Sequence, residues 1–248
     1  MKSMPMLFSS LSEFRQLQNT LYSLMQSGSR SNSVYNMLLH DYIKYHAVLV
    51  LAGGFFALLL IVLGVHFWRR FKRTRKAEAY NWTFEKKVYF CFGLVSTIVA
   101  LLMLLIVAVN LSTVLNHQEG FAQVIQDLGT PQAGTHKAAH YQAVHTWVQS
   151  GSAHMPPVLQ NEVRDRLSWQ RPKAIVCSIL FVVFSILTIR LWRKLINSRA
   201  SESKWRLKEK ALIIMGVIAV PVTLLLMIMA LANTQASFAP ITLTLLSS

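Results

Sequence analysis

Five of the chain's eight histidines, His117, His136, His140, His145 and His154, fall in the one stretch between Leu111 and Lys173. Imidazole is the commonest protein ligand for metals and the side chain that most readily moves a proton near neutral pH. His136 and His140 stand four apart, so a helix there would put both rings on one face, as in an HxxxH metal pair. In zinc peptidases a glutamate follows the first histidine as general base. Here Lys137 stands in its place, and no cysteine or close carboxylate completes a ligand set. Surface histidines on a loop helix are the better reading, and no metal is assigned.

Haem ligation fares no better. A b-type haem takes axial histidines from facing helices at one depth. His46 and His117 both stand near one boundary of the apolar segments, His66 stands at the other without a counterpart, and the last two segments hold none. Arg164 followed by Arg171-Pro172 superficially resembles the first motif of the membrane phosphatidic-acid phosphatases. That motif begins with lysine, and the family uses downstream histidines for attack and proton transfer. No histidine follows His154, so the match is a coincidence of a basic juxtamembrane segment. Cys91 and Cys177 form no CxxC and read as small apolar packing residues. No catalytic constellation and no cofactor site remain, and the expectation is a protein that is not an enzyme.

The elements that would carry any site are clearer. Of 248 residues, 53% are hydrophobic and 14% charged, with a mean hydropathy of +0.40. The charge deficit is concentrated in four windows long enough to cross about 30 Å of hydrocarbon, which takes roughly 20 helical residues. They run from about Ala47 to Trp68, Val88 to Val109, Ala174 to Trp192 and Ala211 to Ala232. Pro221 lies inside the last and predicts a kink or a loosened hydrogen bond there. The fold class expected is therefore all-α: an integral membrane protein with four transmembrane helices. A formal net charge of +15 could suggest nucleic acid, but that needs a basic face on a soluble domain. Here the cations flank apolar spans, so no nucleic-acid partner is expected.

Orientation follows from lysine and arginine in the short loops. Loop 69–87 carries Arg69, Arg70, Lys72, Arg73, Arg75, Lys76, Lys86 and Lys87, and loop 193–210 carries Arg193, Lys194, Arg199, Lys204, Arg206, Lys208 and Lys210. The connection 111–173 is nearly balanced in charge, and the tail 233–248 has none. Both loops are thus expected in the cytoplasm, with both termini and the connection outside a bacterial-type plasma membrane. Trp68, Trp82, Trp192 and Trp205 are expected to mark the inner interface. Arg69 to Lys76 holds six cations in eight residues. Such density either fixes orientation and attracts anionic lipid or docks a cytoplasmic partner. Arg69, Arg70, Lys72, Arg73, Arg75, Lys76, Arg193, Lys194, Lys204 and Arg206 are the candidate lipid or partner contacts.

The arm 1–46 carries an apolar stripe, Leu7, Leu11, Phe14, Leu21 and Met25, at helical spacing. It is expected to lie outside, on the outer leaflet or against a partner, and shows no secretory signal pattern. The connection 111–173 shows helical faces at Phe121, Val124, Ile125 and Leu128, and again at Ala138, Tyr141, Val144, His145 and Val148. A third stretch opens at Pro156-Pro157. Hairpins 47–110 and 174–232 resemble each other. Phe67-Trp68-Arg69-Arg70 matches Leu191-Trp192-Arg193-Lys194, and Trp82, Lys87, Gly93 and Asn110 align with Trp205, Lys210, Gly216 and Asn233. Either the hairpin is duplicated, giving parallel repeats, or both loops simply meet the same headgroup boundary.

Within the spans only small polar groups occur, among them Ser96, Thr97, Ser178, Ser185, Thr188 and Thr223. Ion-coupled carriers keep ionisable groups there, so a carrier acting alone is not expected. Gly53 with Ala57, Gly93 with Thr97, and Ser96 with Ala100 have the spacing of helix-packing seams. The leading expectation is a non-catalytic membrane subunit or accessory protein, associated with other subunits or copies of itself. The alternative is a transport component, as an oligomeric pore or a permease subunit coupled to a separate ATPase. A lipid- or metal-handling enzyme built on the outer histidines stands third.

Overall fold

The computed structural model describes residues 15–24, 32–74, 83–127, 136–199 and 207–247. All regular structure among them is helical: α1 (15–24), α2 (Ser33–Arg73), α3 (Phe84–Leu115), α4 (His117–Asp127), α5 (His136–Ser150), α6 (Pro157–Arg199), α7 (Leu207–Phe238) and α8 (Pro240–Ser247). Four of them, α2, α3, α6 and α7, are long and apolar enough to cross a membrane.

Local chemistry sets several boundaries. Asn32 caps α2, its Oδ1 accepting the amides of Val34 and Tyr35 at 3.0 Å each, which satisfies two donors of the first turn. Pro157 opens α6, where its missing N–H leaves nothing unpaired. Gly151 follows α5 with φ of 60°, the left-handed conformation that ends a helix and favours glycine. Pro172 and Pro221 both lie inside continuous helices.

The chain divides into two compact units, the first holding 1–48, 110–171 and 235–248, the second 49–109 and 172–234. Within the first, Leu17 and Leu21 of α1 join Val34, Leu38 and Tyr42 of α2, Phe121 and Ile125 of α4, and Val144, Trp147 and Val148 of α5 in one core. Gln18 Nε2 donates to the Ile125 carbonyl at 2.9 Å, and Ser33 Oγ to that of Gly151 at 2.7 Å. Leu17 and Leu21 of α1 are thus packed against this chain's own residues. Leu17, not part of the expected stripe, is among the most deeply buried residues of this core. Leu7, Leu11, Phe14 and Met25 lie outside the described residues.

Within the second unit, Ala57, Leu60, Ala100, Met103, Met227 and Leu231 form the core. Small residues let α2 and α3 approach: a Cβ on Gly53 would meet Val107 at 3.2 Å, and one on Gly64 would meet Ser96 at 3.6 Å. Gly93, Ser96 and Ala100 are buried too, so the expected seams are packed. Most remaining apolar side chains face outward, with Leu51, Phe55, Leu58, Leu101, Leu105, Ile175 and Ile214 each more than 60% exposed. An apolar surface of that extent is not stable in water and fits a multi-pass membrane protein.

Candidate functional site

The cationic ends of α2 and α6 begin with one repeated contact. Trp68 of α2 lies against Gly93 of α3, where an added Cβ would touch the indole at 3.2 to 3.4 Å. Trp192 of α6 lies against Gly216 of α7, where the same addition would touch its ring at 3.0 and 3.1 Å. At both positions a flat ring occupies the space a side chain would fill, so a Cβ there would require the ring to give way. The tryptophans and glycines matched by sequence thus meet in the same way in each hairpin.

One detail differs. Trp68 Nε1 donates to Thr97 Oγ1 at 3.1 Å, and that hydroxyl donates on to the Gly93 carbonyl at 2.7 Å. Four residues after Gly216 stands Val220, which has no acceptor to offer. Trp192 Nε1 is buried and has no hydrogen-bond partner among the described residues.

Beside Trp192 a cavity of about 560 Å³ opens among α2, α3 and α6. Its charged walls are Arg70, Arg193 and Glu85, joined by His66, Tyr89 and Asn197. Glu85 is hydrogen-bonded to Tyr89, and two guanidinium groups against one carboxylate leave positive charge in excess along these walls. Phe92 packs edge-on against Trp192 with ring centroids 5.0 Å apart. A narrower apolar crevice of about 150 Å³ shares Leu63, Phe67, Phe92, Thr188 and Ile189 with this cavity and continues along the helices to Met227. Two of its hydroxyls, those of Thr188 and Thr223, hydrogen-bond each other at 3.1 Å.

Of the cations read from the sequence, Arg69, Arg70, Lys72 and Arg73 form the exposed end of α2, and Arg193 and Lys194 are exposed on α6. Cations in the last turn of α2 also complement the negative end of its helix dipole. Only Arg70 and Arg193 of this set line the cavity. Arg75, Lys76, Trp82, Lys204, Trp205 and Arg206 lie outside the described residues. The sequence reading missed Glu85, Tyr89, Asn197 and the packing role of both tryptophans. Only the paired recurrence of Trp and Gly could have signalled the last.

The histidine side chains that the structure describes are dispersed, and those of His136 and His140 lie outside them. His46 Nδ1 lies 2.6 Å from Asn110 Oδ1. His145 is buried with Nε2 3.1 Å from Gln149 Nε2, and His117 faces the Val114 carbonyl. Among the described residues no three His, Cys, Asp or Glu side chains gather. Cys91 and Cys177 are free thiols.

Fold and site together define an all-helical chain with four membrane-length apolar helices and a basic, aromatic-walled cavity. No protein-family model, no curated protein and no solved structure matches it.

Proposed function

We propose that this chain is a non-catalytic integral membrane subunit that assembles with or regulates a larger complex in a bacterial-type plasma membrane. Its basic segments face the cytoplasm, where they meet anionic lipid or a cytoplasmic partner, and both termini lie outside. The carrying observation is how unevenly the chain covers its own spans. In the most apolar stretch of α2 and of α3, 22% of residues are buried, against 11% in α7 and 6% in α6. On α6, Ile175, Ile179, Val182 and Ile186 recur at helical spacing and all are exposed. In lipid no hydrophobic force drives helices together, so such a face is open either to acyl chains or to a helix of another subunit.

The repeated tryptophan-on-glycine contact supports reading α2–α3 and α6–α7 as duplicated parallel hairpins. Two equivalent basic ends would then present a pseudo-symmetric docking surface to a partner. Purification from native membranes in mild detergent tests the proposal. Co-purification of one or more membrane proteins at fixed stoichiometry is expected, and a monodisperse lone chain counts against it. The same preparation tests the transport alternative, since substrate flux in liposomes holding only this chain would favour that reading.

A further inference from the structure

We infer that the cavity among α2, α3 and α6 is a specific binding site for one anionic glycerophospholipid, with its phosphate between Arg70 and Arg193. The inference rests on these helices spanning a bilayer with their basic ends at headgroup depth, but it does not depend on any protein partner.

Three features converge. The first is charge: two guanidinium groups from different helices face the same space, and the single carboxylate among them, Glu85, is engaged with Tyr89. Guanidinium groups match the oxygens of a phosphate in geometry as well as charge. The second is size, because about 560 Å³ lies in the ordinary range for small-ligand sites and far exceeds the needs of a bare phosphate ion. The third is polarity. The basic cavity passes into the apolar crevice through Leu63, Phe67, Phe92, Thr188 and Ile189, and an occupant following it must be polar at one end and hydrocarbon at the other. Tyr89 and Trp192, aromatic groups with a polar edge, line the basic end, as is usual at the level of lipid headgroups.

A diffuse cationic surface would attract anionic lipid too, at about 1 kcal/mol per residue, so the test must separate a site from a surface. The full chain in dodecyl maltoside is exposed to equal amounts of phosphatidylglycerol and phosphatidylcholine, and retained lipid is counted by native mass spectrometry. One phosphatidylglycerol per chain is expected, favoured over phosphatidylcholine on the order of tenfold. Arg70→Gln with Arg193→Gln should bring that preference close to unity. Lys87→Gln with Lys210→Gln removes the same charge from exposed side chains outside the cavity walls and should leave it in place. Ser185→Phe, which fills the crevice without touching a charge, should also lower retention, with an unchanged helical circular-dichroism spectrum showing that the chain is folded.

Equal loss in both double variants would overturn the site in favour of a diffuse surface. Displacement by excess inorganic phosphate would also overturn it, as the cavity would then read a free anion. In both cases the membrane reading survives. A chain that stays dispersed without detergent would remove the membrane reading itself.

Discussion

The carboxylate of Asp41 holds Thr242 at two points: its Oδ2 accepts the Thr242 amide at 2.7 Å and the Thr242 hydroxyl at 2.8 Å, across 201 positions of sequence. Both residues are buried. Gln235 adds a second tie, its Nε2 donating to the Tyr45 carbonyl at 3.0 Å. These bonds fasten the uncharged C-terminal segment to the first half of α2.

Thr242→Val keeps the shape and the amide but removes one donor to a buried charged group, which costs about 1.5–3 kcal/mol. The melting temperature in detergent should fall, and carboxypeptidase should trim the C-terminus faster. Asp41→Ala, which deprives two donors at once, should fall further. Wild-type melting for Thr242→Val would mean that the hydroxyl bond contributes nothing.

The two tryptophans predict opposite outcomes for opposite swaps. Thr97→Val strands the Trp68 N–H in an apolar setting and should destabilise the chain by about 1–3 kcal/mol. Val220→Thr gives the Trp192 N–H a partner and should stabilise it by about 1 kcal/mol. Thermal unfolding of both variants in one detergent checks the signs, and equal signs would contradict the settings described for the two indoles.

Alanine at the two glycines should rank in a fixed order. At Gly216 the new methyl would sit 2.8 Å from Leu191 and 3.0 Å from the Trp192 ring, whereas at Gly93 the nearest ring atom is at 3.2 Å. Overpacking of this kind costs about 1–3 kcal/mol, and Gly216→Ala should lie at the upper end. Indole fluorescence during unfolding reports on both. A larger loss for Gly93→Ala would contradict the packing described.

Gly120 of α4 tests the other unit. A methyl there would meet the Tyr42 hydroxyl at 2.7 Å, and that ring also packs on Phe121 with centroids 5.5 Å apart. Because the ring is buried and braced, Gly120→Ala should weaken this core and speed proteolysis within 117–150. Protection equal to wild type would show that Tyr42 moves freely.

The four apolar helices were legible because bilayer thickness imposes a length and a composition that few other constraints imitate. Hydropathy, however, measures lipid contact and not helix extent. It placed starts near Ala47 and Ala174, while α2 begins at Ser33 and α6 at Pro157 and runs on through Pro172. The helical faces at Phe121, Ile125, Val144 and Val148 were readable from period, and all four are buried. What covers them was not, since α1 reaches Ile125 across 107 positions. The basic cavity was half visible. Arg70 and Arg193 stood out as charge, but Glu85 and Tyr89 join them only through the packing of α3, and lone residues carry no pattern to read.

The most direct measurement is thiol labelling of intact cells with a membrane-impermeant maleimide, in a chain whose Cys91 and Cys177 have been replaced by serine and alanine. Arg73→Cys, at the exposed basic end of α2, should react only after lysis, while Ser152→Cys, exposed after α5, should react at once. Reaction of Arg73→Cys from outside, with Ser152→Cys protected until lysis, would contradict the orientation and the cytoplasmic role of the basic segments.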